Sequence, residues 1–354
     1  MLRQRSILRK YFMQNEQIPD FVTFLLEPAA YVPQPEAVKL IQTHISYVFV
    51  TDDFVYKFKK PVDFGFLDFT TLAKRHHFCQ EELVLNRRLC PSIYLDLVAL
   101  SKKGDRFSLN SPAPVEAGGI VEYGIRMKRM PEDRMMANII KSGRLLPEMI
   151  DSICDVLVPF YEKAEGGPKI KEFGRPEAVS VNIMENFSQT EAFIGSPSLS
   201  RSQFERIRNF STVFLQQDEL FAARISAGRI RDCHGDLYSA NICLAEQVYI
   251  FDCIEFNQRF RYCDVASDIA FLAMDLDYHG LSGLSARFVS GFMEKSGDSA
   301  LEPMLNFYKC YRAYVRAKIN LFTANAPEVD RETKQGCQKM AGKYFQLADR
   351  YASQ

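Results

Sequence analysis

At 354 residues, with 47% hydrophobic and 25% charged side chains, the chain can bury a core large enough for two lobes. Its 44 basic and 44 acidic residues leave no formal net charge, which gives no support for a nucleic-acid or anionic-membrane partner. No pair of the nine cysteines has CxxC spacing, so they predict reduced, buried thiols of a cytoplasmic protein rather than a zinc or disulfide framework.

The first residues, MLRQRSILRKYFMQNEQ, are basic but have no apolar core of the secretory kind. They read as a frayed or partner-packed arm, with a membrane-contacting amphipathic arm as the alternative. No run approaches the roughly 20 apolar residues of a membrane span. PEAVKLIQT, with Pro near its first turn, predicts a short helix over 35–43. SYVFVTDDFVYKFKKP predicts two strands around a turn at Asp52 and Asp53. Thr70 to Cys90 predicts a helix, with Leu72, Cys79, Leu83 and Leu89 on its apolar face and Pro91 ending it. SIYLDLVALS and GIVEYGIRMKRM predict two further strands, with a KKGD turn and an SPAPVEAGG loop between them. After Met130-Pro131, helices dominate: 133–142, 147–164, 181–190, 201–223, 264–278, 281–295, 301–323 and 330–350. EGGPKIKEFGRP and GSPS read as exposed connections, and NICLAEQVYIFD as two short strands turning at Glu246-Gln247. The expected fold class is α+β, with a small β-rich lobe, a hinge near 128–132 and a larger helical lobe.

Four polar features call for one explanation. Lys57 ends a strand, and Glu81 and Glu82 sit within the helix that follows. CHGDLYSANICL presents His234, Asp236 and Asn241 in a stretch too poor in apolar side chains to be a buried element. Asp252 ends the next hairpin, in VYIFDCIEF. Phosphoryl transfer asks for this set. A cation holds the phosphates and a carboxylate orients that cation. A carboxylate and an amide hold magnesium, and a further carboxylate accepts the proton of the attacking hydroxyl. Asp236 precedes Asn241 by five residues, the spacing of base and metal amide in the kinase loop H-R-D-L-x-x-x-N.

HGDLYSAN is similar to the HGD loop of the aminoglycoside phosphotransferase and choline kinase-like enzymes, which share the protein-kinase fold. THISYVFVTDDFVYKFKKPVDFGFLDFTTLAKR, EELVLNRRL, FDCIEFNQRFRYCDVASDIAFLAMDLD and YRAYVRAKI resemble a largely uncharacterised branch of aminoglycoside phosphotransferase-like proteins. The resemblance covers about residues 20 to 350 and implies a two-lobed, protein-kinase-like fold. It implies an N-terminal arm (1–19), a nucleotide-binding lobe (20–130) and a helical lobe (131–354). The helical lobe would carry a catalytic loop at 233–244 and a metal hairpin at 248–256. In that branch the domain often precedes a P-loop ATP-binding domain. No GxxxxGK[ST] occurs in this chain, which therefore resembles the kinase-like half alone and could work with a separate P-loop protein.

The implied cofactors are ATP and Mg²⁺, and the implied acceptor is a hydroxyl of a small molecule. Lys57 would hold the α/β-phosphates with Glu82 as its ion-pair partner and Glu81 in reserve. Asp236 would be the catalytic base, and Asn241 and Asp252 the metal ligands. Adenine would meet backbone around Arg129, Met130 and Pro131. His234 is expected to position loop backbone rather than to act as a base. Of Asp264 and Asp268, the first is expected to brace the catalytic loop through its N–H groups. Glu255 reads as a second metal contact or a surface acid. The acids of DVASDIAFLAMDLDYHG would suit a cationic substrate but read more simply as the solvated rim of an amphipathic helix. Residues 165–200 are expected to cover part of the acceptor pocket. Departures from the pattern are the absence of a glycine-rich G-x-G-x-x-G and DCIEF in place of DFG. Two other readings remain open: a catalytically quiet nucleotide-binding module that regulates a partner, and nucleotidyl transfer, which releases pyrophosphate instead of ADP.

Overall fold

The computed structural model describes residues 18–110, 119–326 and 329–354. Residues 1–17 of the arm and nearly all of the expected SPAPVEAGG loop lie outside the described residues. The architecture is α+β, and the chain divides into two compact units. One comprises residues up to Pro131 together with Glu255–Asn257. The other comprises Glu132–Ile254 and Gln258–Gln354.

The first unit holds helix α1 (Asp20–Leu25), strands β1 (Lys39–Gln42), β2 (Ser46–Val50) and β3 (Phe54–Lys59), and helix α2 (Leu72–Asn86). Strands β4 (Tyr94–Lys103), β5 (Arg106–Asn110) and β6 (Ile120–Lys128) complete it. The strands form an antiparallel sheet in the order β1-β2-β3-β6-β4-β5. Period-two alternation sorts β3. Tyr56 and Phe58 join Val22, Leu25, Tyr47, Phe49, Val98 and Leu100 in one apolar core. Lys57 and Lys59 fall on the opposite face, where both meet Glu82 of α2. Thr71 caps α2 by accepting the Lys74 N–H at 3.2 Å.

The second unit is mainly helical: α3 (Met136–Lys141), α4 (Pro147–Lys163), α5 (Pro168–Lys171), α6 (Pro176–Thr190), α7 (Arg201–Phe214) and α8 (Asp218–Ser226). Strand β7 (Ile230–Asp232) and the hairpin β8 (Ile242–Leu244) and β9 (Val248–Ile250) follow. After α9 (Gln258–Arg261) comes β10 (Tyr262–Asp264), antiparallel to β7. Helices α10 (Val265–Tyr278), α11 (Ser282–Ser296), α12 (Glu302–Asn325) and α13 (Arg331–Ala352) complete the unit. α10 is buried without interruption from Val265 to Leu276 and packs on α11, α12 and α13. Among the described residues, no helix is long and apolar enough to cross a membrane.

Several sequence expectations are corrected. Residues 39–42 are an edge strand rather than part of a helix, because their alternating exposure pairs them with β2. RFSLN forms β5, a strand the sequence reading passed over. The expected helix 201–223 is two, α7 and α8, broken after Phe214. The connection 165–176 contains the short helix α5, anchored by buried Ile170. The acids of α10 are no solvated rim: Asp268 and Asp275 are buried on a helix enclosed all round.

Candidate active site

In the first unit, β3 and α2 bring together two lysines and one glutamate. The Lys57 ammonium donates to Glu82 Oε1 at 2.8 Å, and the Lys59 ammonium donates to Glu82 Oε2 at 2.7 Å. Lys59 also donates to Glu255 and is 1% exposed, whereas the Lys57 side chain keeps 14% of its surface in solvent. Burial pulls the Lys59 ammonium toward its neutral form, but Glu255 and Glu82 outweigh it and hold the group charged. Lys59 is thus enclosed between two carboxylates, while the Lys57 side chain remains partly exposed. Sequence reasoning preferred Lys57 over its neighbours Lys59 and Lys60 and did not anticipate that Lys59 is the buried one. The clue was available, since residues two apart on a strand share a face. Glu255 is neither a surface acid nor part of the helical unit; it is buried in the ion pair with Lys59. Arg129 directs its N–H to the Asp53 carbonyl at 2.8 Å, and Pro131 has none. Met130 is therefore the residue of this stretch whose N–H could face a purine.

In the second unit, the loop between β7 and β8 is held from three sides. Gly235 has φ +87°, and a Cβ there would come within 2.9 Å of the Phe260 carbonyl, so only glycine fits. His234 Nε2–H donates to the Phe251 carbonyl at 3.0 Å, while Nδ1 accepts the Asp236 N–H at 3.3 Å. The ring thus positions backbone on both sides, as expected of it. Asp268 accepts the N–H groups of His234 (2.7 Å) and Gly235 (3.0 Å). Asp275, two turns along the same face of α10, accepts the Ser239 N–H at 3.0 Å. Arg312 of α12 donates to the Gly235 carbonyl at 2.9 Å and lies 3.5 Å from Asp268.

The bracing acid is therefore Asp268, not Asp264. Asp264 caps α10 through the Ala266 N–H and binds Arg224 through both oxygens, at 2.9 and 2.7 Å. It sits at the helix terminus, where its nearest backbone donors belong to its own helix. The heptad spacing of Asp268 and Asp275 was visible in the sequence and marks two acids on one helix face; Arg312 had no such signal.

The Asn241 amide donates to the Asp236 carbonyl and to Asp236 Oδ2, both at 3.0 Å. Burial pushes the Asp236 carboxyl up to about 6. Asp252 adds to the rise, while Arg316, Arg312 and the Asn241 hydrogen bond oppose it. Asp252 is the one non-glycine residue with positive φ among the described residues, at +61°. Holding a side-chain-bearing residue there costs on the order of 1 to 2 kcal/mol, a strain that clusters at functional sites.

Two of these residues could offer a magnesium ion the hard oxygen donors it takes. With its NH₂ engaged by Asp236, Asn241 has Oδ1 as the acceptor it can offer a cation. Asp252 supplies a second hard oxygen donor, and a dication would offset the repulsion between Asp252 and Asp236.

Structural likeness now decides the architecture. An ethanolamine kinase of Plasmodium vivax superposes with a TM-score of 0.51 at 11% identity, covering 99% of this chain and 93% of that one. An aminoglycoside phosphotransferase in its GDP and kanamycin complex gives 0.50 at 12% identity, covering 92% and 98%. The fold is protein-kinase-like. The kinase-like chain is also 33% identical over 291 residues to uncharacterized proteins of Mycobacterium tuberculosis and Mycobacterium bovis. That match covers 81% of this chain and 56% of each relative, so the chain spans little more than half the length of these curated relatives. No family model matches.

Proposed function

We propose that the chain is an ATP- and Mg²⁺-dependent phosphotransferase that moves the γ-phosphoryl group to a hydroxyl of a small molecule. The observation that carries this reading is the loop at 234–241. It presents a carboxylate, Asp236, on a backbone fixed by Asp268, Asp275 and Arg312, with Asn241 against it and the strained Asp252 acting on it electrostatically.

In this reading Asp236 accepts the proton of the acceptor hydroxyl. The acceptor oxygen forms a bond to the γ-phosphorus, the bond from that phosphorus to the β,γ-bridging oxygen breaks, and its electron pair leaves with ADP. Asn241 and Asp252 would hold magnesium, which supplies charge neutralisation on the phosphates. Lys57, oriented by Glu82, would hold the α/β-phosphates, and the Met130 backbone would meet the adenine. A separate P-loop protein as partner belongs to the same proposal, on the strength of the sequence resemblance.

The test is product identity. The protein is incubated with γ-labelled ATP, Mg²⁺ and a panel of alcohols. Label transferred to an alcohol with release of ADP supports the reading. Pyrophosphate release assigns nucleotidyl transfer instead, and nucleotide binding without turnover assigns the quiet regulatory module.

A further inference from the structure

Resting on the phosphotransferase reading, one arginine beside the catalytic loop calls for a partner beyond the aromatic side chains that hold it. Arg312 and Arg316 lie one turn apart on α12, so both face the catalytic loop. Arg312 is committed to the loop itself: its guanidinium bonds the Gly235 carbonyl, the Ser267 carbonyl and the Ser267 hydroxyl, with Asp268 beside it. Arg316 is different. Its guanidinium lies over the Tyr238 ring, 4.5 Å from the centroid, two residues beyond Asp236. Tyr238 is stacked in turn on Phe271, and Tyr344, whose phenol oxygen accepts from the guanidinium, is stacked on Tyr278 at 3.8 Å.

Arg316 is thus held in an aromatic cradle. Its Nε is buried without a hydrogen-bond partner, and among the described residues no carboxylate lies within 4.0 Å of it. Arg126 and Arg229 share the unpartnered Nε, but each has an aspartate within salt-bridge distance. Of the charges acting on Asp236, that of Arg316 is the strongest. A guanidinium whose Nε is buried and which lacks a carboxylate is costly unless something else answers it. Its planar fork matches the two oxygens of a carboxylate or phosphate.

The acids nearby give the complementary information. Asp268 and Asp275 are committed to backbone N–H groups of the loop, and Asp277 to Lys309. The acidity of this helix, which suggested a cationic substrate, is therefore consumed within the fold. The charge left to meet an acceptor beside the base is positive.

The geometry points to Arg316 as the acceptor-binding cation, and to an acceptor that carries its hydroxyl on a small molecule bearing an oxyanion. A hydroxy acid and a phosphorylated polyol share that chemistry. The reaction is R–OH + ATP → R–O–PO₃²⁻ + ADP + H⁺, with R anionic and the proton passing to Asp236.

Two measurements test it on the full chain with Mg²⁺ present. The first reads the thermal midpoint with ADP and each of D-glycerate, glycerol 3-phosphate, glycerol, choline and kanamycin. The second reads ADP formation from ATP with the same probes. Both are run on the native protein, Arg316→Gln and Arg316→Lys. An anionic probe should raise the midpoint and be the better acceptor. Arg316→Gln should raise its KM on the order of 10- to 100-fold and abolish its preference over glycerol, and Arg316→Lys should keep much of both. D-Glycerate against glycerol 3-phosphate separates carboxylate from phosphate recognition. A merely structural Arg316 would lower the native midpoint in Arg316→Gln without altering acceptor preference, and that outcome overturns the proposal. So does a native midpoint that neither anionic probe moves, or turnover of glycerol, choline or kanamycin that Arg316→Gln leaves unchanged. Anion binding that depends on Arg316, with no ADP formed from any probe, would retain the anion site and remove the phosphotransferase reading instead.

Discussion

Asp236 carries the sharpest consequence of the proposed chemistry. Asp236→Asn removes a proton acceptor while keeping shape, so kcat should fall on the order of 10²- to 10⁴-fold with little change in nucleotide affinity. Its carboxyl, pushed by burial to about 6, must be ionised to act. The sign follows: below that pH the group is protonated and the rate falls, and above it the base is ready. The kcat/KM profile, which reports the free enzyme, should therefore show an acid limb near pH 6 that is missing from the residual activity of Asp236→Asn. The two lysines of β3 should separate as cleanly. Lys57→Met should raise the KM for ATP and leave the thermal midpoint nearly unchanged, because Glu82 keeps Lys59. Lys59→Met strands Glu255 and half of Glu82 in a buried site. It should cost about 3 to 5 kcal/mol of stability, read by urea unfolding. A large loss of stability for Lys57→Met with none for Lys59→Met would reverse these roles. At this scale the sequence marked the chemical groups because their types and spacing are dictated by reaction geometry. It assigned no role to Lys59, Arg312 or Arg316, although VYKFKK and YRAYVRAKI contain them, because a basic side chain reads the same in sequence whether it is buried or solvated.

At the scale of elements, α10 is the part on which the loop depends. A helix buried all round and carrying two acids one heptad apart can present both only to internal donors, and the loop backbone supplies them. Asp268→Ala leaves two buried N–H groups without acceptors and removes the carboxylate beside Arg312, a loss of about 3 kcal/mol. Asp264→Ala removes the helix cap and two of the three side-chain hydrogen bonds of Arg224, which keeps Asp298, and should cost a similar amount. The two should differ in catalysis. Measured well below either midpoint, Asp268→Ala should lower kcat sharply and Asp264→Ala should not. Equal activity in both would show that Asp268 does not brace the loop. The same helix shows why element types were more legible than their surroundings. Its length and apolar pattern read directly as a helix, but whether its acids faced water depended on packing partners far away in sequence. Strand β1 shows the reverse failure. KLIQ has no strong strand preference, and pairing with β2 decides its conformation.

At the scale of the whole molecule, folding and nucleotide binding should be linked through Asp252. A ligand that binds only the folded chain stabilises it by RT ln(1 + [L]/Kd), about 2.7 kcal/mol at 100 times Kd. Mg²⁺·ATP should therefore raise the unfolding midpoint, and omission of Mg²⁺ should remove most of the rise. The variant to compare is Asp252→Asn rather than Asp252→Ala. The position sits at φ +61°, where asparagine is tolerated far better than alanine. Asparagine keeps the backbone, removes the charge that would hold the metal and relieves the repulsion with Asp236. Without ligand, Asp252→Asn should unfold at or slightly above the native midpoint; with Mg²⁺·ATP it should gain little. A variant that is stable alone and unresponsive to ligand would mean that the strained aspartate is kept for the metal at the expense of stability. A variant that loses stability without ligand and still responds fully to Mg²⁺·ATP would place Asp252 in the scaffold and leave the metal to other residues.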